Sequence, residues 1–195
     1  FYVLTNDIYL NNLEKIDWKT GKAAVGYVPN SWYSNIAFSG TIDGNGHMIY
    51  GLYYNNGATS SNAAFGYNGV GLVPRVNDGK TVSITKLGID NAFINNTNGA
   101  SAFVGFAGVT YYYTPQTKAK VIIDQCFAGE NVTIEAHEAG AFRGGNNHSD
   151  TTITNSYSLA TVTALNSTTA GLLGNTWNSV ATVRNSYNAN GAICT

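Results

Sequence analysis

The sequence is poor in charged residues and in long apolar runs. Lys, Arg, Asp and Glu make up only 11% of its 195 residues, against about 25% in ordinary soluble domains. The formal net charge of −1 gives no basic field for nucleic acid and no polybasic patch for an anionic membrane. No apolar run approaches the roughly 20 residues that a membrane-spanning helix needs. We therefore expect neither a nucleic-acid partner nor insertion into a membrane.

Catalytic residue types are also scarce, and the two cysteines are too few for a disulfide framework. The tightest titratable cluster is 135–138, where Glu135 and His137 would share one face of a strand. A general acid–base pair is sterically possible there, but a solvated turn is the stronger interpretation. The spacing also differs from the His-Glu-x-x-His pattern of zinc peptidases. The sequence therefore predicts no catalytic residues and no cofactor.

A possible metal site lies at 43–46, where Asp-Gly-Asn-Gly resembles the beginning of a calcium loop. Alternating Asp and Asn oxygens suit a hard cation, but the downstream bidentate Glu of an EF-hand is missing. Asn-Gly between two apolar segments is typical of a turn between strands. We predict a turn here and no metal site.

What the chain does contain is a repeat. One short motif ends in glycine and a second ends in an aromatic residue. The motif ends are Gly105, Gly144 and Gly174 for the first, and Phe127, Tyr157 and Tyr187 for the second. Recurrence at a nearly fixed period of about 30 residues indicates a stack of similar structural units.

Alignment of the repeats predicts which side chains face the core. One expected column is Ile84, Ile123, Ile153 and Val183, and another is Phe93, Val132, Val162 and Ala192. Vertical columns of apolar residues are typical of parallel strands that pair in register from one unit to the next. No column in this alignment places charged residues in adjacent units, whereas a polysaccharide-degrading groove would need several.

We accordingly predict an all-β fold: a right-handed parallel β-helix, or solenoid, of about six coils. Parallel crossovers are right-handed in nearly all sheets, and each coil buries its apolar face only against its neighbours. Residues 1–62 are predicted to form N-terminal capping coils, with Trp18 and Trp32 as lids, and residues 63–195 the repeat coils. We expect one continuous domain that is a fragment of a larger protein.

The repeats resemble a known family. The segments Gly-Leu-Leu-Gly (171–174), Thr-Ile-Thr-Asn-Ser-Tyr (152–157) and Val-Arg-Asn-Ser-Tyr (183–187) are similar to the GLUG repeat of bacterial surface proteins. Residues 38–49 resemble the segment that often precedes such repeats. The resemblance implies an exported right-handed β-helix that is part of a modular adhesin, peptidase or polysaccharide-binding protein. The chain departs from the pattern at Pro74, where glycine is usual, and in one longer coil.

The longer coil carries the first candidate binding residues. With Pro74 counted as the end of an earlier copy, successive ends of the glycine motif are 31, 39 and 30 residues apart. The additional residues of the 39-residue interval include Tyr111, Tyr112 and Tyr113. Insertions into a solenoid project from one face and often bind ligands. Tyrosine suits sugars, because its ring packs on apolar surface while its hydroxyl forms hydrogen bonds.

Further tyrosines are second choices for a ligand site. They are Tyr50, Tyr53 and Tyr54, which follow the glycine turn, and the aromatic column Phe127, Tyr157 and Tyr187. An aromatic residue repeated once per coil is more often a structural ladder than a binding surface.

These features favour a non-catalytic extracellular module for adhesion or polysaccharide binding, located on a bacterial cell surface. Its predicted partners are a polysaccharide or cell-surface glycan and further modules of the same chain. Two alternatives remain open. The chain could be a passive solenoid that serves as a spacer or filament component, or a β-helical enzyme that degrades polysaccharide.

Overall fold

The computed structural model describes residues 1–33, 36–57, 69–108, 117–165 and 171–190, together with the backbone of 192–194. The described chain is almost entirely β-strand, numbered β1–β22 in chain order, with one short 3-10 helix at Leu13–Lys15. Four stacked sheets of parallel strands account for nearly all of it. The expectation of an all-β fold built from stacked parallel strands is confirmed.

Two of the sheets have six strands each. Sheet A consists of β1 (Tyr2–Val3), β5 (Gly40–Asp43), β9 (Thr81–Thr85), β13 (Ala119–Asp124), β17 (Ser149–Thr154) and β20 (Val180–Arg184). Sheet B consists of β2 (Ile8–Tyr9), β6 (Met48–Tyr50), β10 (Gly88–Asp90), β14 (Phe127–Ala128), β18 (Tyr157–Ser158) and β21 (Tyr187–Asn188).

The other two sheets are smaller. Sheet C consists of β7 (Tyr53–Asn55), β11 (Ala92–Ala100), β15 (Val132–Ala139), β19 (Thr161–Ala164) and β22 (Ala192–Cys194). Sheet D consists of β8 (Val73–Val76), β12 (Val104–Ala107) and β16 (Arg143–Asn146). An antiparallel hairpin of β3 (Ile16–Asp17) and β4 (Lys22–Ala23) lies outside them.

The chain visits these sheets in a repeating order. Strands β9 to β12 lie in sheets A, B, C and D in turn, and β13 to β16 repeat the same path one strand further along each sheet. We call each such set of consecutive strands a layer. This arrangement is consistent with a β-helix-like fold.

The pairing of the predicted isoleucine column is confirmed, although Val183 in the last layer is 41% exposed and not buried in the core. Ile123 of β13 pairs with Ile84 on one side and Ile153 on the other, and Ile153 pairs with Val183. Side chains along β13 alternate between buried and outward positions, as the two-residue period of a strand requires. The two isoleucines on either side of Ile123 are also fully buried, so each fills the space above its copy.

The second predicted column is only partly correct. Val162 does pair with Ala192, but it pairs on its other side with Ile134 and not with Val132, while Phe93 pairs with Thr133. The path from sheet B to sheet C is two residues shorter in the layer of Val162 than in the layer before it. A strict 30-residue offset therefore gives the wrong register here.

Sheets A and B are joined by a sharp bend that places one residue per layer in the left-handed region. These residues are Asn45, Lys86, Gln125, Asn155 and Asn185, with φ between 50° and 54°. Asn185 donates to Asn155 at 3.2 Å. Asn155 then donates to Asp124 at 2.8 Å, so the stacking of amide side chains at these turns spans a single step.

The glycine motif marks the place where sheets C and D meet. A Cβ on Gly105 would lie 2.3 Å from the backbone nitrogen of Val70, and one on Gly144 would lie 2.5 Å from the backbone of Ala100. Backbone atoms cannot yield by that amount, so only glycine fits. Phe103 and Phe142 are the second residues of two of these motifs, and their rings pack within the core with centroids 5.0 Å apart and planes tilted by 41°.

The β3–β4 hairpin covers the outer face of sheet C. Ile16 and Trp18 bury themselves against Phe93, and a Cβ on Gly21 would lie 2.2 Å from that ring. Trp18 is therefore a lid over the side of the stack and not over its end. Trp32 packs against the main core, and its indole nitrogen donates to the carbonyl of Gly71 at 3.1 Å.

The isoleucine column predicts a contrast between neighbouring positions. Ile123→Ala leaves a void between two buried copies and should lower the free energy of unfolding by about 2–5 kcal/mol. Ile122, the next residue along, points outward and is 38% exposed, so Ile122→Ala should cost about 0.5 kcal/mol or less. Urea denaturation of the two variants checks this, and equal losses would contradict the assignment of faces.

Candidate functional site

The outer face of sheet B carries a column of aromatic side chains. Phe127, Tyr157 and Tyr187 pair with one another in successive layers. Their rings stack with centroids 5.2 and 5.7 Å apart and planes inclined by only 6° and 14°. We call these three residues the aromatic column.

Stacking determines which parts of these rings a ligand can reach. Both faces of Tyr157 are covered, one by Phe127 and the other by Tyr187. The rings follow one another along the stacking direction of the strands, so their edges and not their faces are turned outward. The second face of Phe127 is turned toward the preceding layer, where Gly88 is its partner in the sheet.

Gly88 interrupts the line of side chains on this face. A Cβ at Gly88 would lie 2.1 Å from the sulfur of Met48 and 2.5 Å from the ring of Phe127. The two side chains thus lean over the same glycine from opposite layers. Their approach requires a residue without a side chain at this position.

A surface groove opens beside this contact. It has a volume of about 370 Å³ and is lined by Asn45, Gly46, Lys86, Gly88, Gln125 and Phe127. This volume is at the lower end of the range for small-molecule sites. We call it the Gly88 groove.

The rim of the Gly88 groove is polar. Asn45, Lys86 and Gln125 are exposed and occupy the left-handed position of three successive layers. The side chain of Gln125 donates to Asp124 at 3.1 Å. Within the described chain Lys86 forms no ion pair. The groove therefore combines one aromatic wall with amide and ammonium donors.

Asp124 is the carboxylate next to this rim. It accepts hydrogen bonds from Thr154 at 2.6 Å and from Asn155 at 2.8 Å. The hydrogen bond from Thr154, with further ones from Asn155 and Gln125, lowers the pKa of Asp124 against the opposing effect of burial. Its negative charge, together with that of Asp43 in the same column of sheet A, offsets the charge of Lys86.

The three second-choice tyrosines lie in different environments, each stacked on another ring. Tyr50 stacks on Tyr9 at 5.0 Å and 18°, on the same face as the aromatic column but outside the groove. Tyr54 stacks on Tyr33 at 5.3 Å, and burial raises its pKa.

Tyr53 is the most firmly held of the three. It packs on Phe93 at 6.0 Å, and its hydroxyl lies 3.0 Å from the carbonyl oxygen of Gly21, to which it donates. The structure does not bring the three tyrosines together into one site.

The first-choice residues Tyr111, Tyr112 and Tyr113 lie outside the described residues. The chain leaves the described fold after Gly108 and rejoins it at Thr117, between β12 of sheet D and β13 of sheet A. Gly79 donates from its backbone to Thr117, and Gly108 packs against the backbone of His148. The insertion is therefore connected to a different part of the stack from the Gly88 groove.

The cluster at 135–138 does not form the acid–base pair that the spacing allows. No hydrogen bond joins Glu135 to His137 among the described contacts, and Nδ1 of His137 is buried without a partner. Glu138 is the more unusual group, because burial raises the pKa of its carboxyl. It accepts a hydrogen bond from Asn175 at 2.6 Å.

Arg143 completes this second cluster and was missed at the sequence level. Its side chain is fully buried in the column of Val73, Val104 and Leu173. It donates from Nη1 to the carbonyls of Gly144 and Asn175. Burial lowers its pKa to about 10 against the opposing effect of Glu138. The sequence signal for this cluster was Arg143 itself, a charged residue at a repeat position that is otherwise apolar.

The expectation that no column places charged residues in adjacent layers is wrong for sheet A. Lys120 and Asp150 are direct partners in adjacent layers of sheet A, and Asp150 also pairs with Lys118 at 3.0 Å. The 30-residue offset that aligns Ile123 with Ile153 also aligns this pair, so the earlier expectation overlooked it. The pair is partly exposed and of opposite charge, which is typical of a surface ion pair.

At the proposed turn, Asp43 accepts a hydrogen bond from the backbone nitrogen of Asn45 at 2.9 Å. Its side chain thus stabilises the bend. Among the described residues no group of three His, Cys, Asp or Glu side chains could hold a metal ion, and none of the helices there is long and apolar enough to cross a membrane.

Comparison with known proteins gives no relatives. No family model matches the chain, and neither a curated protein nor a solved structure is similar to it.

The two shifted carboxyls predict opposite pH effects on stability. The pKa of Glu138 is raised in the fold. Its contribution to stability therefore falls as pH rises from the ordinary pKa of a glutamate toward the raised pKa of the folded state. Glu138→Gln should remove this fall, so the stability of the variant relative to the wild type should increase with rising pH. Urea midpoints measured from pH 3 to pH 7 would show it.

Asp124→Asn provides the comparison of opposite sign. The pKa of Asp124 is lowered in the fold. Its contribution to stability is therefore present at pH values above the ordinary pKa of an aspartate and is lost as pH falls toward the lowered pKa of the folded state. The deficit of this variant relative to the wild type should therefore shrink in acid. Parallel pH profiles for both variants and the wild type would contradict both assignments.

Proposed function

We propose that this protein is a non-catalytic carbohydrate-binding module and that the Gly88 groove on sheet B is its binding site. The observation that carries the proposal is the meeting of the apolar side chain of Phe127 with a rim of amide and ammonium donors in one groove. A sugar ring has an apolar C–H face and a polar edge. The groove offers a partner to each.

The charge around the groove favours a neutral sugar. Lys86 supplies one positive charge, while Asp43 and Asp124 lie in the neighbouring column of sheet A. An acidic ligand would meet these carboxylates, and a neutral one would not. Lys86 and Gln125 can donate hydrogen bonds to ring hydroxyls without a net charge on the ligand.

The scaffold for this site is proposed to be a right-handed parallel β-helix of six coils with residues 1–62 as its cap. The parallel pairing of every strand in sheets A to D and the single order in which the chain visits them support this. The resemblance to the GLUG repeat leads us to propose further that the module belongs to a larger bacterial surface protein. Its role there would be adhesion to a polysaccharide or cell-surface glycan.

A glycan array followed by titration calorimetry tests this proposal. We expect the protein to bind at least one neutral glycan, and Phe127→Ala to weaken that binding by about tenfold, because loss of roughly 50 Å² of buried apolar contact at about 25 cal/mol per Å² costs about 1.3 kcal/mol. Gly88→Ala should also weaken it, since the added Cβ would displace Met48 and Phe127 into the groove.

Two variants serve as controls. Tyr9→Ala removes an aromatic ring from the same face of sheet B but outside the groove, and it should bind like the wild type. The pair Tyr111→Ala and Tyr113→Ala tests the insertion as the alternative location. Loss of binding only in this pair would move the site there. Absence of any glycan signal would contradict the proposal and favour a passive scaffold, and release of reducing ends would contradict its non-catalytic part.

A further inference from the structure

The geometry of the aromatic column restricts the form of ligand that the Gly88 groove can accept. We propose that the groove binds the terminal residues of a glycan chain and not the flat surface of an insoluble polysaccharide. This inference rests on the proposed function and narrows it to a class of ligand. It depends on the direction in which the rings face.

Binding to a flat polymer surface requires several ring faces exposed in one plane. On sheet B the rings face one another along the stack. Successive planes in the aromatic column are inclined by 6° and 14°, and those of Tyr9 and Tyr50 by 18°. Among the described residues of this face, stacking therefore covers at least one face of each ring and leaves its edge toward solvent. The face of sheet B offers no platform.

One ring of this face borders an open groove. Phe127 is the first ring of the aromatic column and the one described ring that lines the Gly88 groove. Layers lie on both sides of this position, since β6 and β14 flank β10 in the sheet. The opening is therefore a property of the sequence at Gly88 and does not depend on where the chain begins or ends.

The groove is short and closed along the stack. Its lining residues come from three successive layers, which span about 10 Å at the usual strand spacing. Phe127 closes one end, because Tyr157 and Tyr187 fill the line beyond it. At the other end stands the longer turn that contains Asn45 and Gly46. A space of this length holds about one or two sugar rings, and a polymer cannot continue through it along the stack.

Lys86 supplies a further indication that this layer is specialised. In the other layers the left-handed position is occupied by Asn or Gln, and Asn is the residue that tolerates this conformation best after glycine. Lysine has no such local advantage. Residues with unfavourable backbone preferences are expected at functional positions. Lys86 is such a residue, it forms no ion pair among the described residues, and it lies on the rim of the groove.

The test measures stoichiometry as well as affinity. Cellotriose, chitotriose and mannotriose, with longer soluble chains of each, are titrated by calorimetry, and microcrystalline cellulose and chitin are used in pull-downs. We expect a trisaccharide to bind, and longer chains of the same sugar to bind one protein per chain with similar affinity. Phe127→Ala should weaken trisaccharide binding by roughly tenfold, with Tyr9→Ala as the matched control.

The outcomes separate this inference from the proposed function. Retention on the insoluble polymer without binding of any trisaccharide would overturn terminal recognition while leaving carbohydrate binding intact. Several proteins bound per long soluble chain would do the same, because internal residues would then be accepted. No binding to any soluble or insoluble glycan would overturn both.

Discussion

The in-register stacking of parallel strands is the constraint on which the rest of this structure depends. Each residue of a layer lies on the corresponding residue of the next, at the spacing of hydrogen-bonded strands. Apolar columns such as Ile84, Ile123 and Ile153 gain most from it, because identical shapes fill the same cross-section. The same spacing places aromatic rings face to face, so a column that stabilises the stack hides its own ring faces from ligands.

Function in such a stack therefore has to come from positions where one layer differs from its neighbours. Gly88 is such a position, since the layers on either side place Met48 and Phe127 in the same column. The missing side chain lets Met48 and Phe127 approach each other without disturbing the backbone pairing, and a groove lined by Phe127 opens beside them. Lys86, two residues earlier, changes the chemistry of the rim in the same layer. Two adjacent departures from the repeat thus create a concave site on an otherwise regular surface.

Much of the fold could be predicted from the sequence, because period and residue type determine the columns directly. The pairing of the isoleucine column and the turn at 43–46 are correct. Registers across bends of variable length could not be predicted, as the pairing of Phe93 with Thr133 shows. The groove was also not predictable, since it depends on the way Met48 and Phe127 lean toward a glycine. Whether Tyr111 to Tyr113 bind a ligand stays a prediction.

The partly buried Glu138 and the fully buried Arg143, which share Asn175 as a partner, show the limit of reasoning from regularity alone. Both groups lose hydration, which raises the pKa of one and lowers that of the other. Asn175 bridges them by donating to Glu138 and accepting from Arg143, and these contacts hold the turn after the glycine motif. Because Nε and Nη2 of Arg143 have no partner, the pair does not recover its full desolvation cost. We infer that it specifies the path of the chain at this corner, where an aliphatic residue would fill the core equally well but leave the turn unanchored.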